Sequence, residues 1–252
     1  MSCYVDYIKS ESNYIWIIRN HSKECAVVDP GNGDAVLNYL TTHNLTLTAI
    51  LITHHHSDHT EGIPQLAAFT DTIYGPKYEK INGITHPLEA SDTINLFNHS
   101  YTVLFTPGHT KGHISYATDK RIFCGDVLFS GGCGRIFEGT PKDLYTSIQQ
   151  YLNYSDDTKL YAGHEYTADN LKFALRMNPN NNALHDYNKK VINLINNKQP
   201  TLPTTVGLEK AINPFCRCHD TDIKQHLERE TSHSLATPLD IFTALRTLKN
   251  SA

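Results

Sequence analysis

Thr53–His59 reads THHHSDH and follows directly on the apolar run Thr48–Ile52, TAILI. That run has the length and composition of a short, fully buried strand. The loop after it is ligand chemistry, with His54, His56, Asp58 and His59 offering three imidazoles and a carboxylate. His55 stands inside the string with the wrong phase and is set aside. A histidine-rich loop alone is more often a solvated cluster than a site. Its meaning depends on what the rest of the chain brings beside it.

Working outward, short apolar runs alternate with turns. Asn13–Arg19 and Cys25–Val28 predict two strands, the second closed by Asp29-Pro30-Gly31. Asp34–Thr42 predicts a helix with Val36, Leu37 and Leu40 on one side, and Ile63–Phe69 a short helix. Further strands are expected at Thr72–Tyr74, Tyr101–Phe105, Ile114–Ala117, Arg121–Cys124 and Lys159–Ala162, with a helix near Pro141–Tyr154. Three more ligand-type residues lie just past strand ends: His109 after Tyr101–Phe105, Asp126 after Arg121–Cys124 and His164 after Lys159–Ala162. Strand ends in layered α/β folds meet on one rim, so all these side chains can gather in one place. His113 follows the His109 loop and is a candidate support. His21, His43, His86 and His99 are isolated and read as surface or satisfied core.

The pattern changes near residue 165. Thr167–Met177 and Ala183–Asn197 have helical spacing and no strand partner, and a proline-rich bridge, Gln199–Pro203, leads to Gly207–Ile212, Asn213–Arg217 and a last helix around Pro238–Leu248. The expectation is an α/β domain over 1–165 and a smaller helical domain over 166–252.

Imidazole and carboxylate suit divalent Zn, Fe or Mn. Two such cations roughly 3.5–4 Å apart would share a water and lower its pKa toward about 7. Composition sets the frame. A chain of 252 residues, 39% hydrophobic and 19% charged, can bury a core. A net charge of -4 argues against a uniformly basic nucleic-acid surface. No run is long enough to span a membrane, and MSCYVDYIKS lacks the form of a secretory signal. The six cysteines are scattered, and Cys216-x-Cys218 reads as two free thiols, so a reducing cytoplasm is expected. The chain is also expected to be a monomer.

With these motifs on the page, the chain resembles the metallo-β-lactamase superfamily, whose T-H-x-H-x-D-H signature Thr53–His59 matches. The resemblance implies an αββα sandwich. His54, His56 and His109 would hold one metal, and Asp58, His59 and His164 a second. Asp126 would bridge them, and Asp29 would steady the ligand loop. Phe129–Thr140 (FSGGCGRIFEGT), Gly163–Asn170 (GHEYTADN), Leu171–Leu175 (LKFAL) and Asn213–Arg217 (NPFCR) resemble the glyoxalase II family more narrowly. That likeness implies hydrolysis of the thioester S-D-lactoylglutathione by a metal-bridging hydroxide, with zinc the expected metal, Asp58 and Asp126 at the reacting centre, and glutathione held by Arg135, Tyr166, Asn170 and Arg217. An arginine suits the two carboxylates of glutathione. Phe137 stands where some relatives carry an aromatic hydroxyl, and Cys218-His219-Asp220 where some carry a further basic contact. The rivals are a persulfide dioxygenase of the same superfamily and a metal-stabilised binding module without catalysis.

Overall fold

The computed structural model describes residues 3–251. Residues 1, 2 and 252, at the ends of the expected two-part division, lie outside the described residues. Two six-stranded sheets face each other. The first runs in chain order: β1 (Tyr4–Ser10), β2 (Asn13–Arg19), β3 (Glu24–Val28), β4 (Thr46–Leu51), β5 (Ile73–Pro76) and β6 (His86–Leu88). β2 is covered on both faces. Ile15 and Ile17 pack outward with Val36 and Leu40 of α1 (Gly33–His43), while Trp16 and Ile18 point into the sandwich. Asn32 caps α1 by accepting from the Ala35 amide, and α1 carries the chain from β3 to the parallel strand β4. After β4 come two single turns, α2 (Ser57–Thr60) and α3 (Ile63–Leu66). The helix expected to reach Phe69 stops at Leu66, and Phe69 is exposed.

The second sheet holds β7 (Thr93–Leu96), β8 (His99–Phe105), β9 (Ile114–Thr118) and β10 (Arg121–Gly125). A small hairpin, β11 (Leu128–Phe129) and β12 (Gly132–Cys133), precedes α4 (Pro141–Leu152) and β13 (Lys159–Ala162). β8 and β10 both run antiparallel to β9, and β13 runs parallel to β10, so β8, β10 and β13 all end at one rim. The β4 end joins that rim through Ile114 N donating to Thr53 O at 2.9 Å, and the β13 end through Trp16 Nε1 donating to Ala162 O at 2.9 Å.

Helices then dominate: α5 (Thr167–Met177), α6 (Asn182–Asn196), α7 (Val206–Ile212), α8 (Thr221–Thr231) and α9 (Pro238–Asn250). This part is not purely helical. β14 (Thr204–Thr205) pairs with β13 and extends the second sheet, and one apolar core runs from Leu144 and Ile148 of α4 to Phe215, Phe242 and Leu245. The elements absent from the sequence reading have weak apolar signals. β1 is a partly exposed edge strand, β6, β7 and β14 are short, and α8 buries only Ile223 and Leu227.

Candidate metal centre

The rim where β4, β8, β10 and β13 end gathers the histidines and aspartates singled out in the sequence. Ligand atoms of His54, His56 and His109 lie within 4.8 Å of one another, as do those of Asp58, His59 and His164. Asp126 stands between the two triads. Its Oδ2 is 3.1 Å from His164 Nε2 and 3.5 Å from His109 Nε2, and its Oδ1 is 3.6 Å from His59 Nε2.

Outer partners decide which ring nitrogen carries hydrogen. His109 Nδ1 lies 2.7 Å from the Arg135 carbonyl, which only accepts, so Nδ1 is the protonated nitrogen and Nε2 faces inward bare. Thr53 Oγ1 donates to Asp29 Oδ2 at 2.8 Å and so accepts from His54 Nδ1 at 3.0 Å. His59 Nδ1 lies 3.1 Å from Asp29 Oδ2. Asp29 is thus spent behind the centre, also accepting the Thr53 amide at 2.8 Å, which is the steadying place expected of it.

The inward nitrogens then meet, those of His54 and His109 as lone pairs. His54 Nε2 is 3.1 Å and His109 Nε2 3.0 Å from His56 Nδ1, and His59 Nε2 is 3.3 Å from His164 Nε2. These separations match the edge of a tetrahedron, about 3.3 Å, around an ion with bonds of about 2.0–2.1 Å. Asp126 Oδ1 is buried and has no hydrogen-bond partner. His54 Nε2, His109 Nε2 and a carboxylate oxygen face this centre without hydrogens of their own, and the two triads with a carboxylate between them form the donor set of a binuclear metal site. Burial pulls the His59 imidazole down, yet the Asp126 and Asp29 carboxylates outweigh it and raise it to about 9. Burial pushes Asp126 up, but His59, His164 and His109 hold it well below the usual carboxylate range. Burial and the surrounding imidazoles keep His54 far below the ordinary histidine value.

The closeness of the strand ends explains a glycine. A Cβ on Gly163 would stand 2.5 Å from Asp126 Oδ1 and 2.8 Å from His59 Cε1, so nothing larger fits before His164. His113 supports from behind, accepting the Asp126 amide at Nε2 (3.3 Å) with Nδ1 on Thr106 Oγ1 (2.9 Å). His55 points away, to Glu79 at 3.0 Å and Glu138 at 3.2 Å.

The residues expected to hold substrate divide. Tyr166, 40% exposed, stacks on His164 with ring centres 4.7 Å apart. The Arg135 guanidinium lies over Phe137 at 5.5 Å, and that ring packs edge-on against His56 and His109. Both residues border the centre. Asn170 is buried and donates to Ser130 O at 3.2 Å, fixing the β11–β12 turn. Arg217 is not brought to this group. Its two terminal nitrogens are engaged by Asp220 and by the carbonyls of Lys210 (3.3 Å) and Ala211 (3.2 Å) at the end of α7, while its buried Nε has no partner among the described residues.

Residues that the sequence reading passed over take part. Arg246, nearly buried, donates to Cys133 O at 2.9 Å and Gly134 O at 3.3 Å, beside Arg135. Lys249, one turn on, donates to Asp169 O at 3.2 Å, and burial and the Arg246 charge lower its ammonium. Among the described residues, neither cation has a carboxylate within ion-pair distance. The available signal is that Arg246 falls four residues after Phe242, on the buried stripe of its helix. Asn13 donates to Asp58 Oδ2 at 2.9 Å, which no local pattern announces.

Comparison with known proteins agrees. Residues 165–252 match the family described as hydroxyacylglutathione hydrolase C-terminus, and residues 10–93 and 74–164 match the metallo-beta-lactamase superfamily. The chain is 48% identical over 242 residues to a hydroxyacylglutathione hydrolase of Vibrio cholerae serotype O1, covering 95% of each chain. It is 48% identical over 251 residues to one of Shewanella baltica, again covering 95% of each. Among solved structures its fold is similar to that of ETHE1 from Myxococcus xanthus, with a TM-score of 0.66 and 23% identity over 100% of this chain and 99% of that one. The chain belongs to the hydroxyacylglutathione hydrolase, or glyoxalase II, family of the metallo-β-lactamase superfamily.

Proposed function

We infer that the chain hydrolyses S-D-lactoylglutathione to glutathione and D-lactate, the second step of methylglyoxal detoxification. The observation that supports this reading is the gathering of imidazole nitrogens and two carboxylates on one rim, in a chain 48% identical to hydroxyacylglutathione hydrolases. We take His54, His56 and His109 to hold one divalent ion, Asp58, His59 and His164 the other, and Asp126 to be shared. Zinc suits these donors best, with iron and manganese as alternatives. When bound, the ions supply a water ionised near neutral pH and Lewis-acid polarisation of the thioester carbonyl.

The chain itself positions. Asp29, Thr53 and the Arg135 carbonyl fix the ring tautomers. Tyr166 and Arg135 flank the mouth, where a phenol and a guanidinium can meet the peptide of glutathione. Lys249 and Arg246 bring positive charge that has no carboxylate partner among the described residues and suits the carboxylate end of the substrate. Asn170 acts by holding the turn beneath Arg135. We take Asp58, with a half-exposed side chain, to accept a proton from the reaction or simply to ligate. A thiolate leaves readily and needs no dedicated acid. Residues 1–165 carry the metals in this reading, and 166–252 most of the glutathione end. We also take the enzyme to be a cytoplasmic monomer without nucleic-acid or membrane partners. No helix among the described residues is long and apolar enough to cross a membrane.

The test is hydrolysis of S-D-lactoylglutathione, followed by loss of thioester absorbance, with metal content measured on the same sample. Turnover with close to two ions per chain is expected. Oxygen consumption on glutathione persulfide without thioester cleavage would replace this reading with the dioxygenase. A single closed ion with neither activity would leave a binding module.

A further inference from the structure

The hairpin between β1 and β2 ends over one half of the metal centre. Ser10 pairs with Asn13, so the turn is only Glu11 and Ser12, with Glu11 at φ 55°. A turn this short fixes where Asn13 stands. Asn13 Nδ2 donates to Asp58 Oδ2 at 2.9 Å and to the Asp58 carbonyl at 3.1 Å. Both partners only accept, so the amide group has one possible orientation. Ser12 Oγ lies 3.4 Å from His164 Nδ1. The backbone is stitched to the same segment, with Tyr14 N donating to Gly163 O and Glu165 N to Ser12 O, each at 2.7 Å.

The oxygen that Asn13 holds is the one that matters to the centre. Asp58 Oδ2 is 3.5 Å from His59 Nε2 and 3.4 Å from His164 Nε2. The Asp58 side chain is 48% exposed, against 1% and 5% for those two histidines, so packing alone does not fix its rotamer. His54 and His109 are oriented instead by Thr53 and the Arg135 carbonyl, on other loops.

We propose that Asn13, helped by Ser12, is a positioning residue for the Asp58–His59–His164 cation alone, so that the hairpin tip sets the affinity of one of the two metal positions independently of the other. The proposal rests on the two-cation reading above. A hydrogen bond to a ligating carboxylate removes its rotational freedom before the ion arrives, and loss of such a partner typically costs 10–100-fold in metal affinity.

The experiment is a titration of the metal-free full chain with Zn²⁺ against a chromophoric chelator, for the parent, Asn13→Ala, Ser12→Ala and Asp58→Asn. The parent should bind in two steps, and Asp58→Asn identifies the step that belongs to the second position. Asn13→Ala should weaken that step about 10–100-fold and leave the other unmoved, and Ser12→Ala should move the same step by less. If Asn13→Ala does not fold, Asn13→Gln, which keeps the amide but shifts it by a methylene, serves in its place. Two parental steps that both stay put in the variant would overturn the role of Asn13 while leaving the binuclear reading intact. Equal weakening of both steps would overturn the selectivity. A parent that binds a single ion would instead overturn the reading underneath.

Discussion

Glu209 of α7 is fully buried, and four donors meet its carboxylate: Ser130 Oγ (2.9 Å), the Gly131 amide (2.9 Å), Asn213 Nδ2 (2.8 Å) and Thr204 Oγ1. It fixes the β11–β12 turn, from which Arg135 and the carbonyl partner of His109 emerge. In Glu209→Ala Ser130 keeps the Tyr187 hydroxyl at 3.0 Å. Asn213 keeps Phe129 O at 3.2 Å and Gly132 O at 2.9 Å. The Gly131 N–H and the buried Thr204 hydroxyl, which has no other partner among the described residues, are stranded, at a cost of about 1–3 kcal/mol each. An unfilled volume of about 50 Å³ adds roughly 1 kcal/mol. The sum, about 3–7 kcal/mol, lowers the melting temperature of a chain this long by about 6–28 °C. Glu209→Gln strands nothing. Its oxygen can face Gly131 and Asn213 while its amino group donates to the two hydroxyls, so it should melt within about 4 °C of the parent. The pH adds a second reading. Burial raises the Glu209 carboxyl against the pull of its donors. A raised folded value means that its stabilising contribution is complete below the unfolded value of about 4.3 and is lost as pH rises through the folded one. Glutamine has nothing to lose, so between about pH 4.5 and 7.5 the comparison should move in its favour. Paired thermal melts at the two pH values check both points. A glutamine variant as damaged as the alanine one at neutral pH, or one that falls further behind as pH rises, would refute the reasoning and show that the turn requires the charge itself.

Other outcomes follow from the same geometry. Asp126→Asn should lose binuclear loading and turnover together, by metal analysis and thioester assay, and full metal content with normal rates would contradict the bridging place of Asp126. Stripping the ions with a chelator should abolish hydrolysis reversibly and lower the melting temperature, since a ligand at 100 times its Kd contributes about 2.7 kcal/mol. Lys249→Ala should raise KM about 10- to 150-fold with kcat nearly kept, the loss of one charge-assisted hydrogen bond of roughly 1.5–3 kcal/mol to a non-reacting part of the substrate. Arg217→Ala should leave KM within about twofold, because its guanidinium already serves Asp220 and the end of α7. The reverse pattern in steady-state kinetics would return Arg217 to the substrate.

Arg217 and Arg246 show what a sequence can and cannot disclose here. Strand ends and ligand residue types are local properties, so the gathering of His54, His56, Asp58, His59, His109, Asp126 and His164 is legible from period and position alone. The sandwich is legible for the same reason, because β2, β4 and β10 are buried on both faces and carry unbroken apolar runs. An arginine has no such signature. Arg217 stands in a recognisable phrase, yet its carbonyl partners lie six and seven residues back, at the orphaned end of the preceding helix α7, where a cation is favoured by the local dipole. Arg246 stands in no phrase, and beyond a local bond to Asn250 its carbonyl partners lie 112 and 113 residues away. Glu209 and Asn13 follow Arg246, with donors and acceptors 40 or more residues distant in Ser130, Gly131 and Asp58. A motif records which residue type occurs at a place. Whether its polar group is satisfied locally, and so unavailable, or is carried unpaired to a distant loop is decided by tertiary packing. The residues that reach these loops from a distance are therefore the ones that motif reading is least able to find.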